Sequence, residues 1–354
     1  MKTVYKNVLL NSSLTDIVTE NGKITYIGKT DESGIDIEGQ KIIPGLVDIH
    51  THGCAGVDTM DNKLKEMSIC HAKHGVTSYC PTTMTAMLSD VARLTDVDTS
   101  NIPGANILGF HLEGPYISYE YKGAQNSKYI QKPDYKAFSQ IKNVSMVTVA
   151  PEVEGAMDFI KQCKCVVSLG HTGADYDTAI KAIENGANCL THTFNAMPPL
   201  HHRNPSVIGA AIAKNIYVQV ICDGLHIHPS VILMLYKTFG SDRMVVISDS
   251  MRATGLADGK YELGGQEVFV QGKEARLADG TIAGSVTPLI KSVKNLIDWG
   301  IPEEDAIQMA SRTPAQLVKA NKGILEVGYD ADFVIVDNDF NVLKTIINGN
   351  IFSE

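Results

Sequence analysis

Short apolar runs recur through the middle of the chain, at 42–49, 76–80, 107–112, 144–150, 165–169, 188–191, 217–222 and 244–248. Each has the length and β-branched content of a strand buried on both faces. Stretches with helical spacing separate most of them, such as 176–185 before Gly186 and 229–239 before Gly240. Strand and helix patterns in alternation predict βα units and a parallel sheet. Eight such units over about 270 residues match the size of a (β/α)8 barrel, an α/β TIM barrel. A doubly wound sheet is the competing geometry, but no G-x-G-x-x-G follows the first run. The pattern differs at both ends. Asp16–Gly28 alternates around Asn21-Gly22, a type of turn that tolerates positive φ, and predicts a hairpin. The stretches 331–337 and 343–352 read as a second strand pair around Asn348-Gly349. The two chain ends are therefore expected to build one small β domain together. The stretch 116–133, rich in Tyr, Lys and Gly, reads as a long loop over the site.

Polar residues fall at the carboxyl ends of the predicted strands. The first run ends in His50-Thr-His52, and the third in His111-Leu-Glu113. The fifth to eighth lead into His171, His192-Thr-Phe-Asn195, Asp223-Gly-Leu-His226 and Ser248-Asp249. A barrel gathers all these ends on one face, where barrel enzymes do their chemistry. Four histidines and a carboxylate suit a divalent ion such as zinc or iron. Asp249, on the last strand, is then the natural acid/base. His111 is expected to lie deeper, as a packing or supporting residue. Asp48 is expected to point away from the histidines, into packing or a hydrogen bond.

Composition narrows the functions further. A net charge of -9 gives no support to nucleic-acid binding or a basic membrane patch. No apolar run approaches the roughly 20 residues of a membrane span. Seven cysteines without framework spacing suggest free thiols in a reducing cytoplasm.

The segments PGLVDIHTHG (44–53), HLEGP (111–115), KGAQ (122–125), LGHT (169–172), THTFNAMP (191–198), DGLH (223–226), SD (248–249) and TIAGS (281–285) resemble the amidohydrolase superfamily. Within it they resemble the N-acetylglucosamine-6-phosphate deacetylase family. The resemblance runs over almost the whole chain. It implies a TIM barrel at 44–320 with a small β-sandwich from 1–43 and 321–354, and a homodimer. It implies that Glu113, His171 and His192 hold a catalytic divalent metal, and that His50 and His52 make a second ion possible. Asn195, Ala196, Arg203, Asp223, Gly224, Leu225, His226, Ala124, Ile282, Ala283 and Gly284 match substrate-contacting positions. Arg203 would take the phosphate, since its fork suits phosphate oxygens. Gln125 stands where other members carry a histidine that polarises the acetyl carbonyl. The implied reaction releases acetate from N-acetylglucosamine 6-phosphate. The galactosamine epimer is the nearest alternative. Another amidohydrolase reaction on a cyclic amide or N-acyl amino acid is a second, and a non-catalytic scaffold barrel a third.

Overall fold

The computed structural model describes residues 1–353. All eight predicted runs become parallel barrel strands: Leu46–Thr51, Val76–Thr83, Phe110–Glu113, Val144–Val149, Val166–Leu169, Cys189–Leu190, Tyr217–Ile221 and Met244–Ile247. The third is preceded by a short piece, Asn106–Ile107, on the same neighbour. The ring closes where the Asp249 amide donates to the His50 carbonyl (2.9 Å) and the His52 amide to the Ser250 carbonyl (2.8 Å).

Alternation along the strands sorts the side chains. Val47, Ile49, Met146, Val245 and Ile247 fill the barrel interior, with Ala315 and Leu317 in the same cluster. Leu46, Met244 and Val246 face outward and pack under the surrounding helices. Strict alternation would then turn His50 outward. A register shift between Asp48 and Thr51 re-aims the strand, so the histidines face the interior. Asp48 stays on the far side, as expected, accepting from the Ser248 hydroxyl (2.5 Å) and the His50 amide (3.4 Å).

The first run divides in two. Lys41–Pro44 belongs to the small sheet, where it pairs with Phe333–Val336. Leu46–Thr51 belongs to the barrel. Gly45 stands between them, and a Cβ there would lie 2.1 Å from Thr77 Oγ1, so no side chain fits.

Both chain ends supply one mixed sheet of eight strands. The Asn21-Gly22 hairpin forms as expected, between Ser13–Glu20 and Lys23–Ile27. Asn348-Gly349 turns between Val342–Ile347 and a further strand, Asn350–Ile351, rather than between the two stretches expected to pair around it. The sheet curls until Lys23 bridges to Asp330, enclosing Tyr5, Ile17, Ile24, Phe333 and Ile346.

An antiparallel sheet of three strands, Gly259–Leu263, Gln266–Gln271 and Glu274–Leu277, is inserted between the last barrel strand and its helix Leu289–Asp298. Its apolar face packs on Met84, Met251 and Ala253. Gln266 donates to the Ala124 carbonyl and ties the insert to the 116–133 loop. Among the described residues, no helix is long and apolar enough to cross a membrane.

Candidate active site

The strand ends converge on Glu113. Its Oε1 lies 3.3 Å from His50 Nε2, 3.2 Å from His171 Nε2 and 3.0 Å from His192 Nε2. Its Oε2 lies 3.2 Å from His52 Nε2. Two groups able to hold a metal ion share this carboxylate: His50, His52 and Glu113, and Glu113, His171 and His192. Asp249 Oδ1 sits 3.4 Å from both His50 and His52 Nε2.

The imidazoles are aimed by their other nitrogens. His52 Nδ1 faces the Thr82 carbonyl (3.2 Å), His171 Nδ1 the Tyr121 carbonyl (2.9 Å) and His50 Nδ1 the Gln219 carboxamide oxygen (3.0 Å). An Nδ1–H that donates outward leaves the Nε2 lone pair facing the cluster. Nε2 atoms approach to 3.0 Å between His171 and His192, and to 3.4 Å between His50 and His52. Lone pairs gathered at that spacing fit a shared cation, so the donor set suits a divalent metal. His111 lies below, its Nε2 against Thr148 Oγ1 (2.8 Å) and its ring edge-on to His50, which is the supporting place expected. Backbone φ is positive at His171 (46°), His192 (26°), Ala196 (51°) and Asp249 (48°). Such strain clusters at functional sites.

Burial opposes charge on His50, His52, Glu113 and Asp249, but their neighbours decide. Burial disfavours protonated His50 and His52, yet Glu113 and Asp249 outweigh it and raise both pKa values, that of His52 well above the ordinary imidazole. Burial likewise pushes the Asp249 carboxyl up, but His50 and His52 hold it down at about 2. Glu113 is held well below the usual carboxylate range against the same burial, by His50 and His171. Without an ion, protons bind the cluster together. Below the raised pKa values His50 and His52 lack free lone pairs, so an incoming cation must displace protons. Metal affinity should therefore rise with pH through that range, and loading should release protons. Calorimetric titration in buffers of different ionisation enthalpy checks this; no proton release near pH 6 would refute it.

Above the cluster lies a cleft of about 260 Å³. His52, Glu113, His171, His192 and Asp249 form part of its wall, with Ala124, Gln125, Asn195, Ala196, His226, Ile282 and Gly284. The remaining expected contacts sit elsewhere. Asp223 is turned back, accepting from His226 Nδ1 (2.7 Å) and from the Leu225 and His226 amides (2.9 and 3.0 Å), so it aims His226. Gly224 and Leu225 belong to that same turn and are not in the cleft wall. Ala283 is buried in the core of the inserted sheet. Arg203 lies in an exposed loop outside the wall. Gln125 is buried and oriented. Its Oε1 accepts from the Thr85 amide (2.7 Å), which turns its NH2 group to Glu113 Oε2 (2.5 Å). Thr281, Leu263 and Met84 also line the cleft and were not anticipated. The Gly264-Gly265 turn flanked by β-branched and aromatic residues was the available signal for the insert.

A model of the amidohydrolase family matches residues 42–352. The chain belongs to that family. An N-acetylglucosamine-6-phosphate deacetylase of Bacillus subtilis is 37% identical over 88% of this chain and 84% of its own length. An N-acetylgalactosamine-6-phosphate deacetylase of Escherichia coli O157:H7 is 35% identical over 94% and 93%. The crystal structure of an N-acetylglucosamine-6-phosphate deacetylase from Thermotoga maritima matches with a TM-score of 0.91 at 32% identity, covering 99% of this chain and 100% of that one. In this amidohydrolase the barrel, the curled terminal sheet and the strand-end cluster thus occur together.

Proposed function

We propose that the protein hydrolyses the N-acetyl group of N-acetylglucosamine 6-phosphate, giving glucosamine 6-phosphate and acetate in amino-sugar catabolism. The observation that carries this reading is Asp249, a buried carboxylate beside the His50–His52 pair on the wall of a sugar-sized cleft. His50, His52, Glu113, His171 and His192 would hold one or two divalent ions, zinc or iron. A bound ion supplies Lewis acidity, which lowers the pKa of water from 15.7 toward roughly 7 and polarises the acyl carbonyl. Asp249 is ionised at neutral pH and takes the proton of the attacking water. Water oxygen bonds to the acyl carbon, the C–N bond breaks, and Asp249 returns the proton to the departing amine. Gln125 presents an amide donor held in one orientation beside the acyl site. His226, aimed by Asp223, and Asn195 orient the sugar from the cleft wall. The seven free cysteines are in keeping with a reducing cytoplasm, and the working form is taken to be a homodimer. The division into a barrel at 44–320 and a terminal β domain at 1–43 and 321–354 belongs to the same reading.

Acetate release from metal-loaded protein tests this, using the gluco and galacto 6-phosphates and both unphosphorylated sugars. The gluco 6-phosphate is expected to be the best substrate. A preference for the galacto epimer would favour the activity that the Escherichia coli relative is named for. Equal rates with and without phosphate would refute the sugar-phosphate reading.

Arg203 is proposed as the phosphate ligand although it stands outside the cleft wall. Arg203→Ala should raise KM for the 6-phosphate by about 10–100-fold, the scale of one hydrogen bond to a charged group. It should change little for the unphosphorylated sugar. Parallel losses on both substrates would leave Arg203 a loop-structure residue only.

A further inference from the structure

Gln219 lies on the barrel strand Tyr217–Ile221 with no exposed surface. Nothing in the sequence patterns pointed to it. Its carboxamide oxygen receives two donors from different parts of the cluster. His50 Nδ1 approaches at 3.0 Å and the His192 backbone N–H at 3.4 Å. Its NH2 group faces the Met146 sulfur at 3.2 Å, inside the apolar interior.

These contacts fix which way the amide points. Flipped, the NH2 group would confront the His192 N–H, two donors face to face. It would also donate to His50 Nδ1 and force the imidazole proton onto Nε2. Nε2 is the atom turned toward Glu113 and Asp249, so that tautomer could not ligate a cation. The observed orientation does the reverse, keeping the proton on Nδ1 and the lone pair on Nε2.

The other histidines are aimed differently. His52 and His171 use backbone carbonyls, which no substitution removes. Among the described residues His192 Nδ1 has no partner. Of His50, His52, His171 and His192, only His50 has its Nδ1 held by a side chain among the described residues.

We infer that Gln219 is a positioning residue that fixes the tautomer of His50, and through it the capacity of the His50–His52–Glu113 group to hold its own ion. This rests on the metal-dependent reading above. It assigns the second ion's retention to a residue that touches neither ion nor substrate. Gln219→Leu removes the acceptor, leaves Nδ1–H without a partner and lets the proton move to Nε2. Loss of such a supporting partner typically weakens metal affinity about 10–100-fold. Gln219→Glu keeps the acceptor and should keep the ion.

The test is a zinc titration of apoprotein, read by calorimetry and by metal content after dialysis, for wild type, Q219L and Q219E. Two ions are expected in wild type and in Q219E. Q219L should keep one at wild-type affinity and hold the second about 10–100-fold more weakly. Two unchanged ions in Q219L, equal losses in Q219L and Q219E, or a single ion in wild type would each overturn the inference. A wild type that binds no zinc would sink the metal-dependent reading itself. Should Q219L not fold, long-range ¹H–¹⁵N spectra of histidine-labelled wild-type apoprotein decide the matter at high pH. His50 is expected as the Nδ1–H tautomer, and the Nε2–H tautomer would overturn the inference.

Discussion

Glu113→Gln should abolish metal retention and lower turnover by roughly 10⁴-fold or more, given how far a bound ion lowers the pKa of water. Glutamine has nearly the same shape, so the core around it need not rearrange. What it lacks is the negative charge between four imidazoles at 3.0–3.3 Å. Both ligand groups contain Glu113, so the variant damages both at once. A second readout separates this from simple misfolding. An ion present at a thousand times its Kd stabilises the native state by about 4 kcal/mol, which appears as a rise in Tm on adding zinc. The variant should fold but lose that rise. A Glu113→Gln protein with full metal content and normal rate would remove Glu113 from the centre of the site.

Asp249→Asn should keep its metal and lose about 10²–10⁴-fold in kcat, the usual worth of a placed acid/base group. Neither ligand group needs Asp249. The backbone there has φ of 48°, a left-handed conformation that asparagine tolerates well, so the substitution adds little strain. The amide cannot accept the water proton or return one to the amine. If the variant instead loses its ion and recovers activity when ion is added back, Asp249 is a ligand and the proton carrier must be sought elsewhere.

The barrel was legible because its strands are buried on both faces, which writes them as apolar runs, and because ligands must sit where those runs end. His50, His52, Glu113, His171, His192 and Asp249 were read as candidates that way, and the structure brings their side chains together. The bulge between Asp48 and Thr51 was not legible, since period-two counting assumes an unbroken ladder. Asp223 and Ala283 carry motif positions, yet their side chains face a neighbouring turn and a core. A motif gives the place of a residue and leaves its direction open. Gln219 was missed for a related reason. Its contacts join residues of three distant segments, and only the closed ring brings them together. The insert at 259–277 was missed although its Gly-Gly turn was present, because its strands lie outside the βα rhythm.

The pairing of Lys41–Pro44 with Phe333–Val336 bears on how the protein is made. The early strands reach the ribosome exit first, but the strand that completes their sheet, Phe333–Val336, follows only much later in the chain. At about 5–20 residues per second this leaves them tens of seconds without their partner. During that interval Lys41–Pro44 has a free edge, and the apolar face bearing Tyr5 and Ile17 lacks its cover of Phe333 and Ile346. Nascent chains of this protein should therefore depend on chaperones more than its size alone suggests. A premature stop before Phe333 would leave that edge open for good, as a template for aggregation.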